Sequence, residues 1–495
     1  MPGSGTSGRL VTRREFLVAV GAVAVGGVAV GTLGIMRQGP FAPNPSASPT
    51  PEPHHTFLSR PDLQPPLIGA TGPGGTVARG FIFLTPNDGL GPAGPTIVDD
   101  AGELVWMRPG NGDFLTDLRV STYKGKPVLT WWQGTQNGGI GSGEHIVLDN
   151  TYQEVTRIRA VKGRQADLHE LQLTPDNTAL FFADASQTPS LKAGASPTPW
   201  PIMDCAIQEI DLGTGALLFE WHAADHVDIE ESTVGAPTTA NSVYDYVHTN
   251  SIEVDTDGNL IVSARNTSAV YKIDRHSGQI MWRLGGKRSD FAMGPGATFG
   301  YQHDARRQGD GTLTIFDDGV GPGASRGIVL RLDETAMTAT LVREYKQPQG
   351  LFATSQGNMQ VLPNGNVFVG WGSLPHFSEY MADGTLLMNA TFTASQSYRD
   401  YRFPWVGRPT DAPAVALENK GGSLAVYASW NGATEVASWD VLAGSSTEDL
   451  TRAASAPRSG FETAINLTTT EPYVAVRALD AAGSPLGTSP LAPTT

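Results

Sequence analysis

Ten histidines occur in this 495-residue chain, and three of them stand in equivalent surroundings. His169, His248 and His303 each open an apolar, alternating segment, and these segments belong to consecutive copies of one repeated pattern. Arg119 and Asn358 stand at the corresponding places in the copies on either side. Imidazoles brought together in this way can attack an electrophile, move protons near neutral pH or ligate a transition metal. A nearby guanidinium narrows the ligand. If Asp257-Gly258 forms a two-residue hairpin turn, Thr256 pairs with Asn259 and Asn250 falls opposite Arg265. His248, two residues before Asn250, then shares its strand face. Imidazole, amide and guanidinium on one face suit an oxyanion, because the planar fork binds it bidentately and the uncharged donors add no carboxylate to repel it. Asp184, Asp304 and Asp318 are expected to orient histidines or satisfy loop amides. His145, His222, His226, His276 and His376 fall on outer hairpins or inserts and read as solvated or structural. The single cysteine, Cys205, reads as an inert apolar side chain.

The elements that must deliver these side chains repeat from about residue 77 to about residue 392. Each copy has an alternating strand, a turn and a second strand, followed by a hairpin similar to Ile-x-x-Asp-x-x-Gly-x-Ile-x-Trp. Turns such as Asp176-Asn177, Asp257-Gly258, Asp310-Gly311 and Asn364-Gly365 have the backbone freedom that hairpins need. Six outer hairpins can be counted, from Ile97 to Trp106 through Phe377 to Phe392. Six inner elements match them if Phe81 to Leu84 is the innermost strand of the first copy. Four strands every ~50 residues is the pattern of a β-propeller, whose innermost strands line a central channel. The fold class expected is therefore all-β, a six-bladed propeller over 57–410 in which the three histidines face one channel mouth. Two inserts, roughly 185–205 and 224–245, lengthen one step and are placed to shape that mouth. From 411 to 495 the texture changes to a small β-sandwich of fibronectin or immunoglobulin type, with Trp430 as its core tryptophan. That module holds no histidine, so it is expected to be dispensable for chemistry.

Composition fits such a chain. Gly and Pro number 58 and 35 against 17% charged residues, which favours turns and short strands. A formal charge of -15 argues against nucleic acid as a partner, so an anionic small ligand needs a local basic pocket. At the N-terminus, Arg13-Arg14 in Thr12-Arg13-Arg14-Glu15-Phe16-Leu17 reads as a twin-arginine export signal leading into an apolar stretch from Leu17 to Met36. About 20 apolar residues also suffice to span a bilayer, so 1–36 is either a cleaved signal or a membrane anchor. Residues 37–56, rich in Pro and Ser and ending near His54 and His55, read as a tether.

Five segments in order carry a resemblance to a known family: Ala166-Asp167-Leu168-His169-Glu170, His248-Thr249-Asn250-Ser251, Val262-Ser263-Ala264-Arg265-Asn266, Trp282-Arg283-Leu284-Gly285-Gly286 and Tyr301-Gln302-His303-Asp304. They resemble the arylsulfotransferases, or aryl-sulfate sulfotransferases, in a texture similar to the actinobacterial and fungal-type branch. The resemblance implies a six-bladed propeller that moves a sulfuryl group from an aryl sulfate to a phenol, with no nucleotide sulfate donor and no cofactor. It also implies that His303 corresponds to the transiently sulfated histidine, and His169, His248, Thr249, Asn250 and Arg265 to the other polar channel residues. A neutral His303 would attack sulfur and Arg265 would neutralise the sulfonate, while His248 and His169 handle the phenol proton. Arg119 and Asn358 would add substrate contacts. Two other classes stay open on the residues alone: a metal-dependent hydrolase or lyase built on the three histidines, and an exported module that only binds.

Export in the folded state is the first testable expectation, because a propeller must close its ring before it is stable. Changing Arg13 and Arg14 to Lys should leave the protein inside the cell when fractions are immunoblotted. Unimpaired export of that variant through the general secretory route would contradict the assignment.

Overall fold

The computed structural model describes residues 54–494 except 73–75, 88–93, 188–199, 240–241 and 320–322. The Arg13-Arg14 motif, the apolar stretch and the tether up to residue 53 lie outside the described residues. Among the described residues, no helix is long and apolar enough to cross a membrane. His54 and His55 belong to the fold rather than to a tether. His54 bridges Pro66, and the His55 N–H donates to the Pro65 carbonyl at 3.0 Å.

Among the described residues, six antiparallel sheets of four strands each follow the sequence repeat. Their innermost strands, in ring order, are Tyr401–Phe403, Phe114–Tyr123, Leu171–Leu173, Thr249–Val254, His303–Arg307 and Asn358–Val361. Ile68–Thr71 joins the outer edge of the sixth sheet, and Ala292–Met293 joins that of the fifth in parallel. In the fourth sheet the second and third strands, Leu260–Ala264 and Ala269–Ile273, are buried along their whole length. Their side chains alternate between two neighbouring sheets, so both faces must be apolar.

This packing closes a ring. Apolar clusters join the first sheet to the second through Trp106 and Trp131, and the second to the third through Val147 and Phe181. Trp221 and Tyr271 join the third to the fourth, and Val270 and Ile315 the fourth to the fifth. Tyr345 meets Val369 between the fifth and sixth. Phe368 and Phe377 of the sixth then pack with Ile82 and Val98 of the first, which completes the circle. Each large side chain buried in this way contributes about 1.5–3 kcal/mol. The architecture is a β-propeller.

The closing strand differs from the one expected. Phe81–Leu84 is the second strand of the first sheet, and the innermost is Tyr401–Phe403, with Phe83 paired to Tyr401 and Phe81 to Phe403. A strand from the far end of the chain thus locks the ring. Two amide side chains hold it in place. Asn358 donates to the Asp400 carbonyl at 2.8 Å and accepts from the Asp400 N–H at 2.9 Å. Gln360 repeats the pattern on Arg402 at 3.0 and 2.8 Å. Each amide imitates a strand neighbour, so the short closing strand leaves no backbone group unpaired on that side.

Beyond the ring, Ala414–Asn419, Leu424–Ser429 and Glu462–Leu467 form one sheet. Thr451–Pro457, Ser438–Gly444, Tyr473–Leu479 and Pro485–Thr488 form a second, with Ala492–Pro493 beside Tyr473–Leu479. The two share one core. Its tryptophan is Trp439, 1% exposed, and not Trp430. Trp430 stands one residue past a strand end, half-buried at the edge, where its indole N–H donates to the Asp411 carbonyl at 2.8 Å. This unit docks on the first two sheets: the Tyr152 hydroxyl donates to the Gly432 carbonyl at 2.9 Å, and Asn431 bonds both backbone groups of Met107. Gly432 has φ +90, and a side chain there would enter the Tyr152 ring.

The closing segment also buries a carboxyl. Asp400 is fully enclosed, and burial is the main cause that pushes it from an ordinary 3.8 to about 8, with Ser397 opposing. The folded chain keeps this proton up to about pH 8, whereas the unfolded chain releases it near 3.8. Stability from this group is therefore complete below the unfolded value and falls as the pH rises toward 8, by at most roughly 6 kcal/mol. Asp400→Asn cannot ionise, so its thermal midpoint should gain on wild type steadily between pH 4 and pH 8. Midpoints that run parallel across that range would show that Asp400 does not hold the proton.

Candidate active site

Three of the innermost strands carry an irregularity at or beside a functional residue. Register shifts fall between Thr116 and Arg119, between Thr249 and Ser251, and between His303 and Arg306. Asp117, His248 and Asp304 adopt φ of 61°, 53° and 54°. A bulge with a left-handed residue re-aims its neighbours, at about 1 kcal/mol or more for each non-glycine residue. This is how side chains that would otherwise lie between sheets are turned toward the axis.

The bulge also changes the register expected for Arg265. Thr256-Asp257-Gly258 forms a three-residue turn with Gly258 at φ +83, so Val254 pairs with Leu260. Ser251 pairs with Ser263 and Thr249 with Ala264, which leaves Asn250 in the bulge rather than opposite Arg265. The Arg265 N–H instead donates to the His248 carbonyl at 2.8 Å, so histidine and arginine are still neighbours.

The three histidines do come together. His169 and His248 have ring centroids 4.8 Å apart, edge to face. Tyr398 lies against His169 at 5.5 Å and against His303 at 6.4 Å. Each imidazole presents Nδ1 to a carboxylate: His169 to Asp167 at 2.5 Å, His248 to Asp245, and His303 to Asp318 at 2.7 Å. Asp318 is thus one of the acids expected to orient a histidine, whereas Asp184 accepts from the Ala206 N–H and Asp304 serves Arg306 and the Met359 N–H. Asp245 ends the second insert, so that insert supplies a partner to the site.

Electrostatics separate the rings. Burial lowers the pKa of His169, against the raising effect of Asp167. Asp167 itself is held below the usual carboxylate range: burial opposes this, and His169 with the Gly141 and His169 N–H groups outweighs it. His303, 1% exposed, is pushed well below its ordinary value by burial and then by Arg265, His169, His248 and Arg399. Burial raises Asp318, with Arg265 opposing. His303 is a neutral imidazole.

Arg265 donates to the Asn266 side-chain oxygen at 2.9 Å and to the Thr354 carbonyl at 3.0 Å, and its Cζ stands 4.9 Å from the Tyr301 ring. These partners are all neutral, and the carboxyl that the cation acts on is Asp318. Its Nε is buried without a partner, as are Thr249 Oγ1, Asn250 Oδ1, Asp245 Oδ1, Asp318 Oδ1 and Ser355 Oγ. So many unmet polar atoms in one region mark a place for a polar ligand or ordered water. Asn250 donates its amide to the Gln302 carbonyl at 2.9 Å.

Two expected contacts belong elsewhere. Arg119 pairs with Glu170 at 2.5 Å and with the Leu171 carbonyl, and it lines a cavity of about 290 Å³ at the other end of the channel with Arg306, Glu253 and Tyr401. The bulge at Asp117 turns it away from the histidines. Asn358 spends both ends of its amide on the closing segment. Between the cavity and the histidines lies a network of three guanidiniums, Arg119, Arg306 and Arg399, with the buried carboxylates Asp117, Glu170 and Asp304, and with Glu253 on Arg306 at 3.3 Å. Glu170 is held at about 2: burial opposes, and the three arginines outweigh it.

Tyr398 and Arg399 were not among the expected site residues, although Arg399 donates to the Asn250 carbonyl at 2.7 Å and stands 4.9 Å from the Tyr398 ring. The signal available was a polar Tyr-Arg-Asp-Tyr run directly after the sixth repeat. The remaining histidines are structural or solvated. His145 is buried at 2% against Phe181, His222 bonds Asp204, His226 stacks on Trp221, His376 bonds Thr391 and His276 is exposed. Cys205 is free and buried. Among the described residues, no group of three or more His, Cys, Asp or Glu side chains is arranged to hold a metal ion.

Known proteins can be compared with this geometry. A protein of unknown function from Bacteroides caccae has a TM-score of 0.41 at 14% identity, over 65% of this chain and 98% of that one. A catalytically inactive virginiamycin B lyase from Staphylococcus aureus with quinupristin has a TM-score of 0.34 at 10% identity, over 73% and 96%. No curated protein matches the chain. The family described as Arylsulfotransferase (ASST) matches residues 119–393, more than half of the chain and a span that contains His169, His248, Arg265 and His303. The chain belongs to the arylsulfotransferase family.

Proposed function

We propose that this protein transfers a sulfuryl group from an aryl sulfate to a phenol through a covalent intermediate on His303, without a nucleotide donor. The observation that carries the reading is a buried imidazole held at Nδ1 by Asp318 over 2.7 Å, whose pKa burial and then the Arg265 cation push down. A neutral ring has the lone pair that attack on sulfur requires, and a covalent intermediate divides a difficult transfer into two displacements. Charge on the sulfuryl oxygens meets Arg265, whose hydrogen-bond partners are neutral. His169 and His248, in contact with each other and each tied to a carboxylate at Nδ1, are placed to protonate the leaving phenolate and to receive the proton of the incoming phenol. Thr249 and Asn250 offer polar groups around the same anion. We further propose that the protein works outside the cytoplasm, delivered by the Arg13-Arg14 signal, with the N-terminal apolar segment cleaved or kept as an anchor.

Incubating the purified protein with a chromogenic aryl sulfate and a phenol, with no nucleotide present, tests the activity. His303→Ala should abolish both half-reactions. His303→Asn should do the same while aryl-sulfate affinity changes less than ~threefold, since the amide stays polar but takes no sulfuryl group. Arg265→Ala should weaken binding and slow transfer together, at a cost of about 2–4 kcal/mol. Labelled aryl sulfate followed by peptide mass analysis locates the group, and a label on any residue other than His303 would sink the assignment.

A further inference from the structure

His303 is hydrogen-bonded at both ring nitrogens, and one of the two partners has no choice of role. The Gln356 backbone N–H points at Nε2 over 3.2 Å and can only donate. Nε2 must therefore present its lone pair. In a neutral ring the proton then sits on Nδ1, where it donates to Asp318 Oδ2 at 2.7 Å. Asp318 is fully buried, so water does not compete for that bond. Gln356 is held at φ +71, a strained conformation for a residue with a side chain, and its side-chain amide is tied to Gln396 at 2.9 Å. The other two histidines lack this feature: among the described residues, no hydrogen bond reaches Nε2 of His169 or His248.

We propose that Asp318 and the Gln356 amide fix His303 as the Nδ1–H tautomer, which makes Nε2 the nitrogen that takes the sulfuryl group, and that the displaced Gln356 amide then donates to a sulfuryl oxygen. The proposal rests on His303 being the sulfuryl acceptor. In the first half the Nε2 lone pair forms the N–S bond as the S–O bond to the aryl group breaks. That electron pair leaves on the phenolate oxygen, which takes a proton delivered through His169 or His248. The positive charge gained by the ring is shared with Asp318 through Nδ1–H. In the second half the acceptor's oxygen attacks sulfur, the N–S pair returns to Nε2, and the phenol proton leaves by the same route. The Gln356 N–H faces Nε2 at rest, and once sulfur occupies that position the nearest acceptors are the sulfuryl oxygens. Asp318 is a positioning residue, because it acts on sulfur only through the ring it orients.

Asp318→Asn in the whole chain replaces the carboxyl with a neutral amide, which opposes the Gln356 N–H if it offers Nδ1 its NH2 and, if it turns its oxygen to Nδ1–H, cannot share the positive charge that the ring gains. Sulfuryl capture from labelled aryl sulfate should slow by at least ~100-fold while KM changes less than ~threefold, and Asp318→Glu should regain part of the rate. The wild-type protein supplies a second measurement if the Asn variant misfolds. With 15N-labelled histidine, the signal lost in His303→Asn should show a proton on Nδ1 and none on Nε2, and protein quenched after donor addition should show sulfur on Nε2. A proton on Nε2 in wild type, or capture by Asp318→Asn at the wild-type rate, overturns the proposal. Sulfur on Nδ1 of His303 overturns it and leaves His303 as the acceptor. Sulfur on another residue overturns both readings, and the tautomer measurement tells the two failures apart.

Discussion

The Arg399 guanidinium, fully buried near the axis, is the contact on which the rest of the ring depends. It reaches Asp117 of the second sheet, Glu170 beside the third, the Asn250 carbonyl of the fourth and Asp304 of the fifth, and it arrives on the segment that closes the first. Burying one unpaired guanidinium would cost several kcal/mol, and the network avoids this by matching three arginines with carboxylates at short range. The match is possible only if all these elements are in place together. The apolar clusters between sheets supply most of the stability but would tolerate small rotations of one sheet against another. Directed bonds from one hub tolerate them far less, so the network fixes how the innermost strands converge and, through Tyr398, where the histidines lie.

Positions on the axis are produced by departures from the repeat. Outer strands repeat because every interface between sheets is the same physical problem, two twisted apolar faces to be joined. Innermost strands face one another across a narrow channel and have no such common solution. Bulges at Asp117, His248 and Asp304 spend backbone strain to aim side chains inward, and the insert ending at Asp245 brings a carboxylate that no repeat unit contains. Strain of this kind persists where neighbouring packing over-determines it, as it does at a channel closed by a far strand.

This division explains what the sequence discloses. The hairpin turns, the count of outer hairpins and the three equivalent histidines are readable because turn chemistry and strand alternation are local. Trp430 against Trp439 is a local ambiguity, since both lie near strand boundaries and only the partner sheet decides which is enclosed. The closing strand Tyr401–Phe403 is not readable in the same way: three residues give no period, and their partners lie more than three hundred residues away. A turn one residue longer than expected and one bulge together move Arg265 from opposite Asn250 to beside His248, and strand alternation alone does not disclose the bulge. Arg119 and Asn358 satisfy the same positional rule as the histidines, yet a carboxylate in one case and a backbone strand in the other claim their polar groups first.

Charge placement then suits one kind of ligand. An aryl sulfate carries a single negative charge, spread over three oxygens, and transfer moves part of it onto the leaving oxygen. The network below Tyr398 pairs each guanidinium with carboxylates, Glu253 on Arg306 included, so it sets geometry more than potential. Arg265 is different, because its hydrogen bonds end on Asn266 and a carbonyl, and its charge acts on His303 and Asp318. In the proposed transfer this one cation would balance one sulfonate, whereas a second would hold product as firmly as substrate and slow its release. The same cation, after burial, pushes the His303 pKa down, so in the proposed transfer the group that meets the anion would also preserve the lone pair that attacks it. In a chain with a net charge of -15, that local inversion has to be built by burial, which shields the site from the acidic surface while strengthening its own few interactions.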